Sequence, residues 1–226
     1  MLFALIAFVA LGVWQVKRLH WKHDLIARVN ARVHAAPATL PSARRLASAP
    51  AHALDYMRVK VSGTYAAPQT ALVRAATELG TGYWAMTPLH IADGRTVWIN
   101  RGFLPAGTTV FEAARTTPPG PVTVTGFVRA SEPGGSLLQS NRPQDDRWYS
   151  RDVAALSKAK RSGPAAPVFI DAQTENAARH AAGKPAPVPG LTVIHFPDNH
   201  LQYALTWFAM AALSLVAIGV VWRRRA

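Results

Sequence analysis

Hydrophobic and polar positions fall into three blocks along this chain. Residues 1–16 carry no charge, residues 17–200 mix polar and apolar positions, and Leu201 to Trp222 again carry no charge. At 1.5 Å per residue the last stretch spans roughly 33 Å as a helix, enough for a hydrocarbon core of about 30 Å. The first reaches only about 24 Å. Either it thins the bilayer or the true start lies upstream of Met1. No positive n-region precedes it and no Ala-x-Ala-like cleavage site follows, so it reads as a retained anchor rather than a signal peptide. Trp21, Leu25, Val29 and Val33 recur every four residues and carry the helix onward as an amphipathic extension, which Pro37 and Pro41 end.

The middle reads mostly as strands. Arg58 to Tyr65 and Val122 to Ala130 alternate, and Pro167 to Ala172 and Leu191 to Phe196 are shorter runs. Tyr83 to Ile91 and Thr96 to Leu104 flank Ala92-Asp93-Gly94-Arg95. Asp-Gly between two such runs predicts a hairpin with a type I′ turn. Trp148 to Lys160 has helical spacing, and Thr174 is placed to cap a short helix running to His180. The expected architecture is a membrane protein of the α+β class. Two transmembrane helices flank an antiparallel β-rich extracytoplasmic domain, a partial barrel or a sheet. The expected boundaries are 1–16 for the first transmembrane helix, 17–36 for its amphipathic extension and 37–198 for the β-rich domain. Residues 199–222 form the second transmembrane helix and 223–226 a basic tail.

Charge refines the picture. The chain carries +13, and about +10 of it lies between residues 17 and 200. The basic residues are scattered, without the Gly-rich or aromatic-interleaved stripe of a nucleic-acid binder, so anionic head groups or an anionic ligand suit them better. The absence of cysteine excludes disulfides and thiolate metal sites. Lys17, Arg18 and Lys22 follow the first segment and Arg223 to Arg225 the second. Long loops cross largely regardless of charge, so the terminal arginines put both termini in the cytoplasm.

Candidate chemistry gathers at the start of the second segment. Asp198 or Asn199 can cap its helix. His200, Tyr203, Trp207 and Ala211 then fall on roughly one face. Two readings of His200 stand side by side on the residues alone. In one, His, Tyr and Trp form an interfacial aromatic belt. In the other, a neutral imidazole offers a nitrogen to haem iron while an apolar macrocycle lies against the helix. Trp14 and Gln15 end the first segment, and Gln15 needs a polar partner, with Gln202 or Thr206 as candidates. Gly12, Ala204, Ala211 and Ala212 permit close helix approach. His20 and His23 sit on adjacent turns, but Lys17, Arg18 and Lys22 crowd them, which favours an anion such as a propionate or lipid phosphate over a metal. No Gly-x-Ser-x-Gly elbow, His-Glu-x-x-His pair or phosphate loop occurs, so no catalytic residue is expected. Asp145 and Asp146 read as a surface loop. Asn100-Arg101-Gly102 closes a strand, with Arg101 tying the sheet to a neighbouring loop.

The chain resembles the surfeit locus protein 1 family of cytochrome c oxidase assembly factors. The resemblance is carried by Leu11-Gly12-Val13-Trp14-Gln15-Val16-Lys17-Arg18, Tyr56-Met57-Arg58-Val59, Asn100-Arg101-Gly102-Phe103-Leu104-Pro105 and Asn199-His200-Leu201-Gln202-Tyr203-Ala204-Leu205-Thr206-Trp207. It covers nearly the whole chain. Phe103 departs from the usual Trp. The resemblance implies a non-enzymatic, multi-pass chaperone of a bacterial inner membrane that holds haem a and aids its insertion into oxidase subunit I. A haem a synthase is a further possible partner. His200 is then the iron ligand, and Trp14, Gln15, Arg18, Gln202, Tyr203 and Trp207 are the implied haem-contact residues. The alternative is a haem-free membrane scaffold for oxidase assembly.

Overall fold

The computed structural model describes residues 2–50, 52–136, 138–177, 186–192 and 198–224. The elements in chain order are α1 (Leu2–Val33), β1 (Ala38–Thr39), α2 (Ala43–Ser48), β2 (Arg58–Tyr65), β3 (Ala71–Thr77), β4 (Gly80–Ile91), β5 (Thr96–Pro105), α3 (Val110–Arg115), β6 (Pro121–Ala130), α4 (Val153–Lys160), β7 (Ala165–Ala177) and α5 (His200–Arg223). They divide into two compact units. Met1–Ala31 with Ile194–Ala226 form one, and Arg32–Val193 the other.

In the first unit α1 is a single unbroken helix, so the pieces expected at 1–16 and 17–36 are one element. Both α1 and α5 are long and apolar enough to cross a membrane. Asn199 occupies the N-cap of α5 but its side chain makes no capping bond. Asp198 supplies one instead, its Oδ1 accepting the His200 N–H at 3.4 Å.

In the second unit seven strands form one sheet in the order β1-β2-β6-β7-β5-β4-β3, and β2 also pairs with β4. Pairing therefore runs from β2 through β6, β7, β5 and β4 back to β2. The expectation of an antiparallel sheet is corrected at two places. β1 runs parallel to β2, and β5 runs parallel to β7 with Ile99 opposite Ile170 and Asn100 opposite Asp171. The chain between β5 and β7 contains β6 and α4, which gives it the length to return in the same direction.

Several local expectations shift for physical reasons. Thr174 caps no helix; it lies in β7 opposite Thr125 of β6. The expected helix to His180 and the strand to Phe196 run into residues outside the described set. Strand β3 was missed because its alanines (Ala71, Ala75, Ala76) carry no strand signal. Helix α4 begins at Val153, not Trp148, because the Asp152 carboxylate accepts the Ala155 N–H at 3.0 Å and fixes the first turn there. The β4–β5 hairpin forms as expected, but by a different turn. Gly94 alone takes a positive φ (81°), and Ile91 N–H donates to the Arg95 carbonyl at 3.0 Å. That is a type I turn closed by a glycine bulge, with Asp93 accepting from Arg95.

Three apolar clusters fill the sheet unit, the smallest joining Leu72, Ala85 and Leu104 to Ala113 of α3. Val59, Val61, Leu89, Val97, Ile99, Val124 and Ile170 pack with Leu46 of α2. Trp98, Trp148, Phe169 and Met86 pack with Val153 and Leu156 of α4. Trp98 Nε1 donates to Ser157 Oγ at 2.8 Å, which satisfies the indole on a buried ring. Asp146 is more than a surface loop residue: it accepts from Trp148 Nε1 and from Lys160 Nζ.

Arg101 is the most demanding polar group here. Its side chain is 1% exposed. It donates to both Glu175 oxygens, to the hydroxyls of Thr116 and Thr117 and to the Thr116 carbonyl. Arg101 thus ties β5 to β7 and to the loop after α3. Burial and the adjacent Glu175 carboxylate push the Tyr65 hydroxyl, which donates to Glu175, well above the ordinary phenol range. Elsewhere in the sheet unit, burial pushes the Glu132 carboxyl up, but two Arg151 hydrogen bonds and the guanidinium charge outweigh it and hold that carboxyl below the usual range.

Glu175→Ala leaves a buried guanidinium uncompensated and is expected to cost about 3 kcal/mol, read from urea unfolding of the full chain. Glu132 has a depressed folded-state pKa, so its contribution is present above the unfolded carboxylate value and fades as pH falls below about 4.3. The urea midpoint therefore drops between about pH 6 and about pH 3, and Glu132→Gln makes that acid arm shallower.

Candidate functional site

The site is built where α1 and α5 meet within the first unit. Gly12 is buried there, and a Cβ added to it would sit 2.6 Å from Phe208 Cε1. The Phe208 ring thus lies on bare backbone, as small residues allow between apolar helices. Phe8 and Trp207 stack with centroids 5.8 Å apart and planes 24° from parallel. Ala204 and Ala211, seven residues apart on α5, are both buried.

One polar pair crosses this contact. Gln15 is 8% exposed, and its Oε1 lies 2.8 Å from His200 Nδ1. A carboxamide oxygen can only accept, so Nδ1 donates here, and in the neutral ring this tautomer leaves the lone pair on Nε2. The partner that Gln15 requires is therefore His200. Neither Thr206 nor Gln202 serves: Thr206 Oγ1 donates to its own helix at the Gln202 carbonyl, and Gln202 is exposed.

The expected face of α5 rotates slightly. At about 100° per residue, Ala204 and Phe208 lie on one flank of His200 and Tyr203 about 60° away on the other. The contact runs through His200, Ala204, Trp207, Phe208 and Ala211, and Tyr203 stays 53% exposed. Trp14 is also exposed, and Arg18 places its guanidinium 4.1 Å over the Trp21 ring. Among the expected contact residues, then, the structure joins His200 to Gln15 and sets Trp207 on Phe8. It leaves Trp14, Arg18, Gln202 and Tyr203 on outer surfaces.

A second link was not read from the sequence. His23 Nε2 lies 2.8 Å from Asp198 Oδ2. His23 follows Gln15 by eight residues, about 80° past two helical turns, which puts it on the flank of the same face of α1. That spacing was the available signal. His20 turns elsewhere, with Nδ1 2.8 Å from the Val16 carbonyl.

Chemically, the arrangement presents one imidazole nitrogen at a helix start, with its other nitrogen held by a buried carbonyl. Histidines that ligate metals are commonly oriented by such a second bond. The helix contact itself can be tested by size complementation. Gly12→Val is expected to destabilise the helix pair by about 2 kcal/mol through overpacking. Adding Phe208→Ala should restore at least half of that loss in a detergent titration followed by circular dichroism.

Comparisons with known proteins take in both units. A model of the SURF1 family matches residues 2–212. Surfeit locus protein 1 of Mus musculus is 34% identical over 220 residues, covering 89% of this chain and 68% of the mouse protein. The Rattus norvegicus protein of the same name is 34% identical over 233 residues, covering 95% of this chain and 71% of its own length. The Homo sapiens protein is 33% identical over 221 residues, covering 89% and 69%. With a family match that spans the helix pair and the sheet unit together, this chain belongs to the SURF1 family.

Proposed function

We propose that this chain is a non-enzymatic cytochrome c oxidase assembly factor of a bacterial inner membrane, with both termini cytoplasmic. In this reading it holds haem a through His200 and yields it to oxidase subunit I. The observation that carries the reading is the Gln15–His200 hydrogen bond, which takes up Nδ1 and, among the described residues, leaves Nε2 without a hydrogen-bond partner. Haem a, if bound, would supply an iron that His200 could hold through an imidazole nitrogen.

The residues present fit such a group on the outer surface of the helix pair. The space between α1 and α5 at Gly12 is filled by the Phe208 ring, so a macrocycle inserted there would have to displace it. The exposed rings of Tyr203 and Trp14 offer flat apolar faces instead. Lys17 and Arg18 are exposed cations suited to propionates. Gln15 orients the ligand rather than touching the iron.

The direct packing of Phe8 on Trp207 and Phe208 on Gly12 also suits a second reading. A helix pair that satisfies itself can serve as a haem-free scaffold in oxidase assembly. Visible spectra of the full chain co-expressed with a haem a synthase separate the two. A Soret band in the purified wild type, lost in His200→Ala and reduced about 10-fold or more in affinity in Gln15→Leu, is expected. An undiminished band in His200→Ala would defeat the ligand assignment. A colourless preparation that still co-purifies with oxidase subunits would favour the scaffold.

A further inference from the structure

The outer edge of the sheet at β3 is open where its partner leaves it. β3 pairs with β4 on one side. On the other, among the described residues, it pairs only through the parallel bridge of Val73 with Trp148, in which Arg74 N–H donates to the Trp148 carbonyl at 2.9 Å. The next rung of a parallel ladder would bring Ser150 N–H to the Arg74 carbonyl. It does not form. Asn141 Oδ1 accepts the N–H groups of both Tyr149 and Ser150, at 2.8 and 3.1 Å, and turns that segment away. By strand alternation the Arg74 carbonyl and the Ala76 N–H and carbonyl point to the same edge, and no backbone group among the described residues pairs with them there.

Two clefts flank this open stretch, one on each face of β3. One, of about 400 Å³, is lined by Ala76, Thr77, Glu78, Trp84, Arg129 and Arg151 among others. The second, of about 410 Å³, is lined by Arg74, Ala76, Tyr83, Ser136, Gln139 and Tyr149 among others. Trp84 and Tyr83 are neighbours in β4 and so face opposite sides, as strand alternation requires. A strand added at this edge would send alternate side chains into the two clefts.

Charge selects between the faces. In the Trp84 cleft the lining arginines Arg129 and Arg151 are already paired: Asp171 accepts from both, and Glu132 accepts from Arg151. In the Tyr83 cleft Arg74 is the only charged lining residue among those described. Its guanidinium lies 5.5 Å from the Tyr149 ring centroid, and no carboxylate among the described residues pairs with it.

We propose that the β3 edge from Arg74 to Thr77 takes up an extended segment of another polypeptide as an added strand, with acidic side chains at alternate positions directed to Arg74 and uncharged ones to the Trp84 cleft. The site lies wholly in the sheet unit and stands apart from the His200 reading. It gives the sheet unit a docking edge specified by backbone pairing and by one cation that no carboxylate pairs with among the described residues.

The test uses the full chain in detergent micelles and a fluorescent heptapeptide alternating valine and glutamate, followed by anisotropy. Saturable binding is expected. Methylating the peptide's edge-pairing amides should weaken it by about 10-fold or more, because strand addition depends on those donors. Ala76→Pro, which removes one outward N–H at an edge position where proline is tolerated, should weaken it similarly. Arg74→Glu should weaken the glutamate peptide and strengthen a valine–lysine version. No binding, equal binding of the methylated peptide, or indifference to Arg74→Glu would each overturn the proposal. The methylated peptide acts on the wild-type chain, so the proposal remains falsifiable even where Ala76→Pro folds poorly.

Discussion

A polar group placed among apolar neighbours must find a partner, and that requirement organises both units of this protein. In the helix pair the group is the Gln15 carboxamide, and the partner is the His200 imidazole, 185 positions along the chain. An unsatisfied buried amide costs on the order of 1–3 kcal/mol, which is comparable to what a single well-packed side chain contributes. The bond therefore fixes which faces of α1 and α5 meet. Phe208 over Gly12 and Phe8 on Trp207 then follow from the same register.

The sheet unit repeats the logic with charge. Arg101 is buried and its guanidinium is satisfied by Glu175, Thr116 and Thr117, which come from β7 and from the loop after α3. Asp171, 3% exposed, gathers Asn100, Arg129, Arg151 and Thr192 around one carboxylate. Each of these centres joins strands that are distant in sequence but adjacent in the sheet. They pin the parallel β5–β7 pairing, where Asn100 sits opposite Asp171. Hydrophobic burial supplies the bulk of the driving force, and these centres select one arrangement from those the apolar pattern permits.

How much of this was legible in the sequence depends on range. The uncharged stretch Leu201–Trp222 and the alternation at Val122–Ala130 announce themselves locally, and both became elements close to the expected bounds. The Asp93-Gly94 hairpin was legible as a turn, but not as a glycine bulge, because one residue's φ decides between them. Thr174 misled because a threonine suits a helix cap and a β-strand alike, and only its place opposite Thr125 settles which. Gln15 was legible as a residue needing a partner. That the partner is His200 was not, since spacing within one helix says nothing about which residue of another helix it meets. His200 itself stood out by its position at the start of an apolar helix. Phe8, Phe208 and the His23–Asp198 link did not, because residues of those types are unremarkable until the second helix is in place.

The helix pair and its chemistry turn on the protonation geometry of one ring. If Gln15 accepts from His200, the imidazole holds its proton on Nδ1 and offers Nε2. Selective ¹⁵N labelling of histidine in the full chain, with His200 assigned by its loss in His200→Ala, reads this directly by NMR at a pH where the ring is neutral. A pyrrole-like Nδ1 and a pyridine-like Nε2 are expected for His200, reverting to a mixed tautomer in Gln15→Leu. A proton residing on Nε2 in the wild type, unmoved by the Gln15 substitution, would contradict the assignment.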